Sequence, residues 1–161
     1  MKKREAKLIF VEREATDEEI KDGYLDNIDN SDDAFMAVKE IADSGIEKFI
    51  CIYLDAENKQ LVKQTICKGS VNQVNPLERE IMRWALLCDA VGIIIAHNHP
   101  SGNPNPSKDD KVFTQSILDA GKLLDIAIKD HLIVAKDLKT NKVKYYSFKQ
   151  HGHLDEVKRD E

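Results

Sequence analysis

Between residues 91 and 110 the chain reads VGIIIAHNHPSGNPNPSKDD, and this stretch decides the fold. The continuous apolar run VGIII is typical of a short strand that is covered on both faces. A loop of proline, glycine and asparagine follows, and Ser107 can cap a helix that begins directly after it. The sequence therefore predicts a buried strand over Gly92–Ala96, a polar loop and a helix start in immediate succession.

The two histidines of this stretch can bind a metal ion together. Side chains two residues apart on a strand point to the same side, so the rings of His97 and His99 can converge at the strand's carboxyl end. Imidazole is a preferred zinc ligand, and a catalytic zinc takes three protein ligands and keeps one open position. Asp110 lies in the first turn of the following helix, where a carboxylate can supply the third ligand.

Each part of this pattern also has a simpler interpretation. An H-x-H pair on a strand is often only hydrogen-bonded, without any metal. Ser107 and Asp110 form an S-x-x-D helix start close to a capping box, which by itself explains both residues. A second H-x-H pair, His151 and His153, has no apolar strand before it and no third ligand after it, and we interpret it as part of the C-terminal tail.

The rest of the chain predicts alternating helices and strands. Helices are expected over DDAFMAVKEIAD with Ser31 as the cap, over NPLEREIMRWALLCDA and over SKDDKVFTQSILDAGKLL. Besides VGIII, strands are expected over FICIYL, QLVKQTICKGS, DIAIKDHLIVA and KVKYYSF, the first two as a hairpin. The residues of the third helix expected to face inward are Val112, Phe113, Ile117, Ala120 and Leu124. This order predicts an α/β fold with a mixed sheet flanked by helices.

Composition limits the classes of protein to which the chain can belong. A length of 161 residues with 42% hydrophobic and 33% charged residues fits one globular domain. No apolar run reaches the roughly 18 residues of a membrane helix, and no secretory h-region follows the first residues, so we expect a cytoplasmic protein without membrane attachment. Cys51, Cys67 and Cys88 are widely spaced and are expected to be buried and reduced.

Charge is unevenly distributed along the chain. The net charge is −5, and the acidic excess lies between Glu12 and Asp33, where few residues are apolar. We expect an acidic N-terminal arm over residues 1–30 with a short strand over KLIFVERE, one domain over residues 31–152, and a charged tail over residues 153–161. The arm is interpreted as solvated or partly ordered, with an acidic partner-binding segment as the alternative.

The complete pattern of H-x-H, seven residues and S-x-x-D is formed here by His97, His99, Ser107 and Asp110. It resembles the motif of the JAB1/MPN/Mov34 (JAMM) metalloenzymes, and HNHPSG followed by PS and aspartate is similar to the RadC branch of that superfamily. The stretches EKFICIYLD, REIMRWALLCDA, DHLIV and YYSFKQHG also resemble RadC sequences. The resemblance extends over roughly residues 31–152, which makes a chance match difficult.

This resemblance implies a three-layer α-β-α fold with a mixed sheet, the JAMM/MPN+ architecture, which is similar to that of the cytidine deaminases. It also implies a zinc ion held by His97, His99 and Asp110. The neighbouring Asp109 is the alternative third ligand, but the spacing of the motif favours Asp110.

The resemblance further implies a general base and an oxyanion donor. JAMM enzymes use a glutamate at the start of an upstream strand as the base, and Glu47 occupies that place. Glu80 is the second candidate. Ser107 is expected to donate a hydrogen bond to the developing oxyanion, in addition to its capping role. Asp130 and His131 are interpreted as a buried core pair, with a supporting role behind the metal ligands as the alternative.

For function, the resemblance implies a zinc metallopeptidase or isopeptidase that acts on a protein or peptide conjugate. Two alternatives stay open. One is a DNA-repair-associated factor whose metal site is structural or serves other chemistry, although nothing before Ser31 resembles the helix-hairpin-helix region of full-length RadC proteins. The other is a non-catalytic module with a structural metal, although such sites have four protein ligands and the motif supplies three. Self-association into a homo-oligomer also stays open.

We expect weak binding of DNA at physiological salt, because an acidic chain lacks the surface of lysine and arginine that neutralises phosphates. Titration of a labelled duplex with the protein at about 150 mM salt measures the affinity. The same titration at about 50 mM salt is the control, since non-specific binding strengthens steeply as the salt concentration falls. Submicromolar affinity at the higher salt concentration would favour the DNA-repair alternative.

Overall fold

The computed structural model of the chain describes residues 25–69 and 75–154. They form a five-stranded mixed sheet with helices on both faces, which confirms the predicted fold class. The strand expected over KLIFVERE lies outside the described residues. In chain order the elements are α1 (Ser31–Val38, continued by a 3-10 turn at Lys39–Asp43), β1 (Lys48–Leu54), β2 (Gln60–Lys68), α2 (Asn75–Leu87), β3 (Gly92–Asn98), α3 (Lys108–Leu124), β4 (Ala127–Lys136) and β5 (Val143–Ser147).

The strand order β2-β1-β3-β4-β5 places β3 at the centre of the sheet. β3 and β4 are parallel and are joined through α3, whereas all other neighbours are antiparallel. Phe49 at the start of β1 pairs with His97 near the end of β3. Residues just before β1 therefore lie beside residues at the carboxyl end of β3.

The sheet is the middle of three layers. Ile93 and Ile95 of β3 face a core cluster shared with α2 and α3, whereas Ile94 and Ala96 face a second cluster shared with α1. Every residue of β3 is buried. Full burial of an isoleucine side chain stabilises the fold by about 1.5–3 kcal/mol, so a continuous apolar run replaces the alternation seen in half-exposed strands.

The start of α1 differs from the prediction. Asn30 is the N-cap, and its Oδ1 accepts hydrogen bonds from the backbone N–H groups of Asp32 and Asp33 at 2.9 Å each. Ser31 is already helical, and its buried hydroxyl donates to Asp130 at 2.7 Å. Asparagine caps a helix as well as serine does, so the cap moves by one residue and the serine is used in the interior.

α3 extends as predicted, but its buried face is rotated. The expected burial of Val112 and Leu124 is wrong, because these residues are 59% and 39% exposed. Thr114 and Gly121 are buried instead. A Cβ atom on Gly121 would lie 2.5 Å from the carbonyl oxygen of Ile126, so only glycine fits there. The inward face of this helix thus contains a polar residue and a glycine, which a count of apolar residues does not find.

Residues just before Ser31 pack against the domain, and the boundary at residue 31 stays a prediction. Ile28, assigned above to the acidic arm, is 3% exposed and packs with α1 against the sheet. Asn27 forms a β-bridge with Lys59. Residues 1–24 of the arm lie outside the described part of the chain.

The cysteines agree in part with the prediction that they are buried and reduced. All three thiols are free, but Cys67 is only partly buried, whereas Cys51 and Cys88 are buried.

Within the ranges that the structure describes, none of the helices combines the length and the apolar composition needed to cross a bilayer.

A buried aspartate links α1 to the last two strands. Oδ2 of Asp130 accepts hydrogen bonds from the hydroxyls of Ser31 and Ser147 at 2.7 Å each. Its Oδ1 accepts from the backbone N–H of His131 at 2.7 Å and of Lys149 at 3.1 Å. Four donors therefore compensate a carboxylate that is removed from water.

We expect Asp130→Ala to lower the free energy of unfolding by about 3 kcal/mol, because the substitution leaves buried hydroxyl and N–H donors without an acceptor. Urea denaturation followed by circular dichroism measures the difference from the wild type. Asp119→Ala on the exposed side of α3 is the control, with an expected change within about 0.5 kcal/mol. Equal stability of the two variants would contradict the structural role of Asp130.

Candidate metal centre

The site lies at the carboxyl end of β3, where the sheet meets the N terminus of α3 and the start of β1. His97 is the last residue but one of β3, and it is fully buried. His99 follows the strand directly, and its side chain is 17% exposed. Their Nε2 atoms lie 3.1 Å apart. The two rings therefore meet at one point, with access from solvent on the side of His99.

The loop after β3 fixes His99 through its backbone. The N–H of His99 donates to the carbonyl of Val134 at 2.8 Å, and the ring Nδ1 lies 2.9 Å from the carbonyl oxygen of Asn103. Gly102 has φ +81°, and a Cβ atom there would lie 2.8 Å from the carbonyl oxygen of Lys136. The loop thus needs glycine to close tightly enough to place the His99 ring.

Asp110 reaches the same point from α3. Its Oδ1 lies 3.1 Å from Nε2 of His97, and its Oδ2 lies 3.5 Å from Nε2 of His99. Ser107 and Asp110 also form a reciprocal capping box, in which the Ser107 N–H donates to Oδ2 at 2.7 Å. Asp109 is exposed. The capping interpretation and the site interpretation are therefore compatible, because the cap holds the carboxylate beside the histidines.

These three side chains fit a metal ion in spacing and in chemistry. Ligand atoms about 2.0–2.1 Å from zinc are separated by about 3.3 Å in a tetrahedral site. Here the two Nε2 atoms are 3.1 Å apart, and the carboxylate of Asp110 lies 3.1 Å from Nε2 of His97 through Oδ1 and 3.5 Å from Nε2 of His99 through Oδ2. Two imidazole nitrogens and one carboxylate are also a donor set that catalytic zinc sites use.

Glu47 comes within reach of the same point. It directly precedes β1, and its Oε1 lies 4.0 Å from Nε2 of His97. Ligand atoms of Glu47, His97 and His99 all lie within 4.8 Å of one another, so this trio could also hold a metal ion. We favour Asp110 as the third ligand because it lies closer to both imidazoles than Glu47 lies to His97. The ligand set inferred from the sequence stays a prediction.

The two carboxylates have opposite pKa shifts. Burial acts to raise the pKa of Asp110, but hydrogen bonds from His97 and His99 outweigh it and hold that pKa well below its usual range. Burial raises the pKa of Glu47, and the nearby histidines offset this only in part. The hydrogen bond to Asp110 raises the pKa of His99 against the effect of burial. Glu47 is therefore the more readily protonated of the two carboxylates.

Asn98, between the two histidines, has a role that the sequence analysis missed. Its Oδ1 accepts from the backbone N–H of Lys48 at 2.7 Å, and its Nδ2 donates to the carbonyls of Ser44 and Ile46 at 3.2 Å each. These bonds hold the backbone on both sides of Glu47. The sequence feature that could have indicated this role is an amide side chain at the end of a strand that is apolar up to His97.

His131 lies behind His97. Its Nε2 is 3.0 Å from Nδ1 of His97, and its Nδ1 is 2.7 Å from Oγ1 of Thr114. The ring is fully buried and stacks on Phe148. Burial lowers the pKa of this imidazole well below its usual value. His131 is thus both a core residue and a support behind the cluster, whereas Asp130 belongs to the separate structural network.

The remaining candidates have other partners. The carboxylate of Glu80 accepts hydrogen bonds within α2, from the guanidinium of Arg83 and from the indole N–H of Trp84 at 3.2 Å. The ring of His151 stacks on Tyr146 with 4.0 Å between centroids, and His153 is hydrogen-bonded to the Tyr146 hydroxyl. The second H-x-H pair therefore packs against Tyr146 of β5.

The sequence model of the RadC-like JAB domain matches residues 28–153. The UPF0758 protein YfjY of Escherichia coli is 39% identical over 108 residues, which are 67% of this chain and 64% of that protein. A UPF0758 protein of Methanosarcina acetivorans is 40% identical over 108 residues, 67% of this chain and 44% of its own length. One from Aquifex aeolicus is 38% identical over 128 residues, 80% of this chain and 53% of its own length. The match thus spans about half to two thirds of each relative, and the chain belongs to the RadC-like JAB domain family.

Proposed function

We propose that the protein is a zinc-dependent hydrolase of the JAMM type that cleaves a peptide or isopeptide bond in a protein or peptide conjugate. The observation that carries this proposal is the convergence of two imidazoles and one carboxylate at 3.1–3.5 Å, with the second carboxylate of Glu47 4.0 Å from His97. Three ligands and a separate acid–base group are the parts that metal-assisted hydrolysis requires. Domains of this superfamily are usually hydrolytic, which adds support.

The ion would be held by His97, His99 and Asp110. When bound, zinc lowers the pKa of a water molecule at its open position to about 7 and polarises a carbonyl oxygen. An open cleft of about 220 Å³ adjoins His99, and its walls include Gly45 and Lys136. We assign this cleft to the substrate, because the partly exposed His99 forms part of its wall.

Glu47 is the proposed general base. Its carboxylate takes a proton from the attacking water and returns it to the leaving nitrogen. A carboxyl group in a partly buried position performs both transfers better than a fully solvated one, because its raised pKa lies nearer to neutral pH. The clamp formed by Asn98 keeps the backbone of Glu47 in place during these transfers.

Ser107 is the proposed oxyanion donor. Its hydroxyl lies 2.6 Å from Oδ2 of Asp110 and donates to that oxygen. To stabilise a developing oxyanion, the hydroxyl proton must turn away from Asp110 toward the substrate. Ligation of a cation reduces the negative charge on Asp110 and so makes this rotation easier.

We expect about one zinc ion per chain after purification without chelator, because three ligands converge. His97→Ala combined with His99→Ala should abolish zinc binding, as measured by inductively coupled plasma mass spectrometry. His151→Ala combined with His153→Ala is the matched control and should retain zinc. Full zinc content in the first variant would refute the assigned site.

Measurement of zinc content also shows which of Asp110 and Glu47 is the third ligand. Asp110→Asn should lose most of the zinc, and Glu47→Gln should keep it, if Asp110 is the third ligand. The reverse result would assign Glu47 as the ligand and remove it from the role of base.

We expect Glu47→Gln to lower the hydrolysis rate by about 10²–10⁴-fold, because a positioned acid–base group is lost. Zinc content and melting temperature should change little, since the substitution keeps the shape of the side chain. A panel of peptide and isopeptide conjugates incubated with the zinc-loaded protein provides the measurement, with Glu80→Gln as the control. Activity that persists in Glu47→Gln and disappears in Glu80→Gln would overturn the assignment.

A further inference from the structure

We infer that His131 and Thr114 form a buried hydrogen-bond relay that keeps a proton on Nδ1 of His97, so that Nε2 is the atom through which this ring would bind the metal. The inference rests on the proposed metal site for its purpose, but the tautomer itself can be measured without metal. His131 and Thr114 are in this view positioning residues, which act through His97.

The direction of the first proton follows from the final acceptor of the relay. Oγ1 of Thr114 lies 2.6 Å from the backbone carbonyl oxygen of Asp110. A carbonyl oxygen can only accept, so the hydroxyl proton of Thr114 points to it. The hydroxyl oxygen then accepts from Nδ1 of His131 at 2.7 Å, and this nitrogen must carry a proton.

The second proton follows from the first. His131 is fully buried between the rings of Phe49, Phe113 and Phe148, an apolar setting that favours a neutral imidazole. A neutral ring protonated at Nδ1 has its lone pair at Nε2. Because this atom lies 3.0 Å from Nδ1 of His97, the His97 nitrogen is the donor.

The consequence reaches the site itself. With its proton held on Nδ1, His97 can bind a cation only through Nε2, which lies 3.1 Å from a ligand atom of Asp110 and 3.1 Å from one of His99. The ring of His99 is oriented in the same sense, because its Nδ1 donates to the carbonyl of Asn103 at 2.9 Å. The Nε2 atoms of both rings and the carboxylate of Asp110 thus face one point, where a bound cation would replace the hydrogen bonds that the rings otherwise make to Asp110.

The relay also joins two of the proposed ligands. Thr114 lies one helical turn after Asp110, so the chain of hydrogen bonds that begins on His97 ends on the backbone of Asp110. Without the Thr114 hydroxyl, His131 is free to place its proton on Nε2. His97 would then accept at Nδ1 and carry its own proton on Nε2, where it blocks ligation.

Thr114→Val and Thr114→Ser test the relay as a matched pair, because the first removes the hydroxyl with little change of shape and the second keeps it. Loss of the group that hydrogen-bonds a ligating histidine weakens metal binding about 10–100-fold, and loss of the Thr114 hydroxyl, one hydrogen bond further away, should fall near the lower end of that range. We expect this loss of zinc affinity in Thr114→Val, measured by competition with a chromophoric chelator. Thr114→Ser should stay close to the wild type, as should Ser116→Ala, whose hydroxyl on the same helix bonds to Glu78 instead.

The tautomer is read directly from long-range ¹H–¹⁵N correlation spectra of the metal-free protein. We expect His97 protonated at Nδ1 in the wild type and in Thr114→Ser, and a mixture of tautomers in Thr114→Val. His131→Gln, whose amide can accept from His97 and donate to Thr114, should restore most of the zinc affinity that His131→Leu loses. This pair decides the question if Thr114→Val fails to fold.

Wild-type affinity in Thr114→Val, or a His97 ring without a proton on Nδ1 in the wild type, would overturn the relay. If the wild type binds no zinc, the proposed function fails, and the spectra alone still decide the relay. Its support then requires the Nδ1 tautomer in the wild type and its loss in Thr114→Val.

Discussion

The placement of β3 at the centre of the sheet is the constraint on which the rest of the structure depends. All seven of its residues are buried. An antiparallel neighbour on one side and a parallel neighbour on the other bring the start of β1 and the end of β4 to its carboxyl end. The crossover through α3 adds a helix start at the same place. Polar side chains from four elements can therefore meet there, at the edge where ligands commonly bind in α/β sheets.

Local rules made much of this predictable. Strand alternation placed His97 and His99 on one side, and the capping box placed Asp110 at the first turn of α3, since both depend only on residues close in sequence. The position of Glu47 beside them came from a family resemblance. It could not be derived from the residues, because it requires the pairing of β1 with β3.

The errors of prediction have a common physical origin in long-range partners. Ser31 does not cap α1 because Asp130, far along the chain, takes its hydroxyl into the interior. Thr114 is buried in place of an apolar residue because its hydroxyl forms a hydrogen bond with the buried ring of His131. Sequence patterns register how polar a residue is, but they do not register whether a buried partner exists for it. Adjacent residues of β4 show the result, since Asp130 stabilises the side with α1 and His131 supports the side with the histidines.

The clamp of Asn98 on the segment before β1 has a mechanical consequence. One side chain, located between the two histidines, holds the backbone of Ser44, Ile46 and Lys48. When the end of β3 moves, these hydrogen bonds couple the backbone around Glu47 to that movement. We therefore expect the backbone of Glu47 to follow the end of β3, which limits changes in the separation between this residue and the two imidazoles.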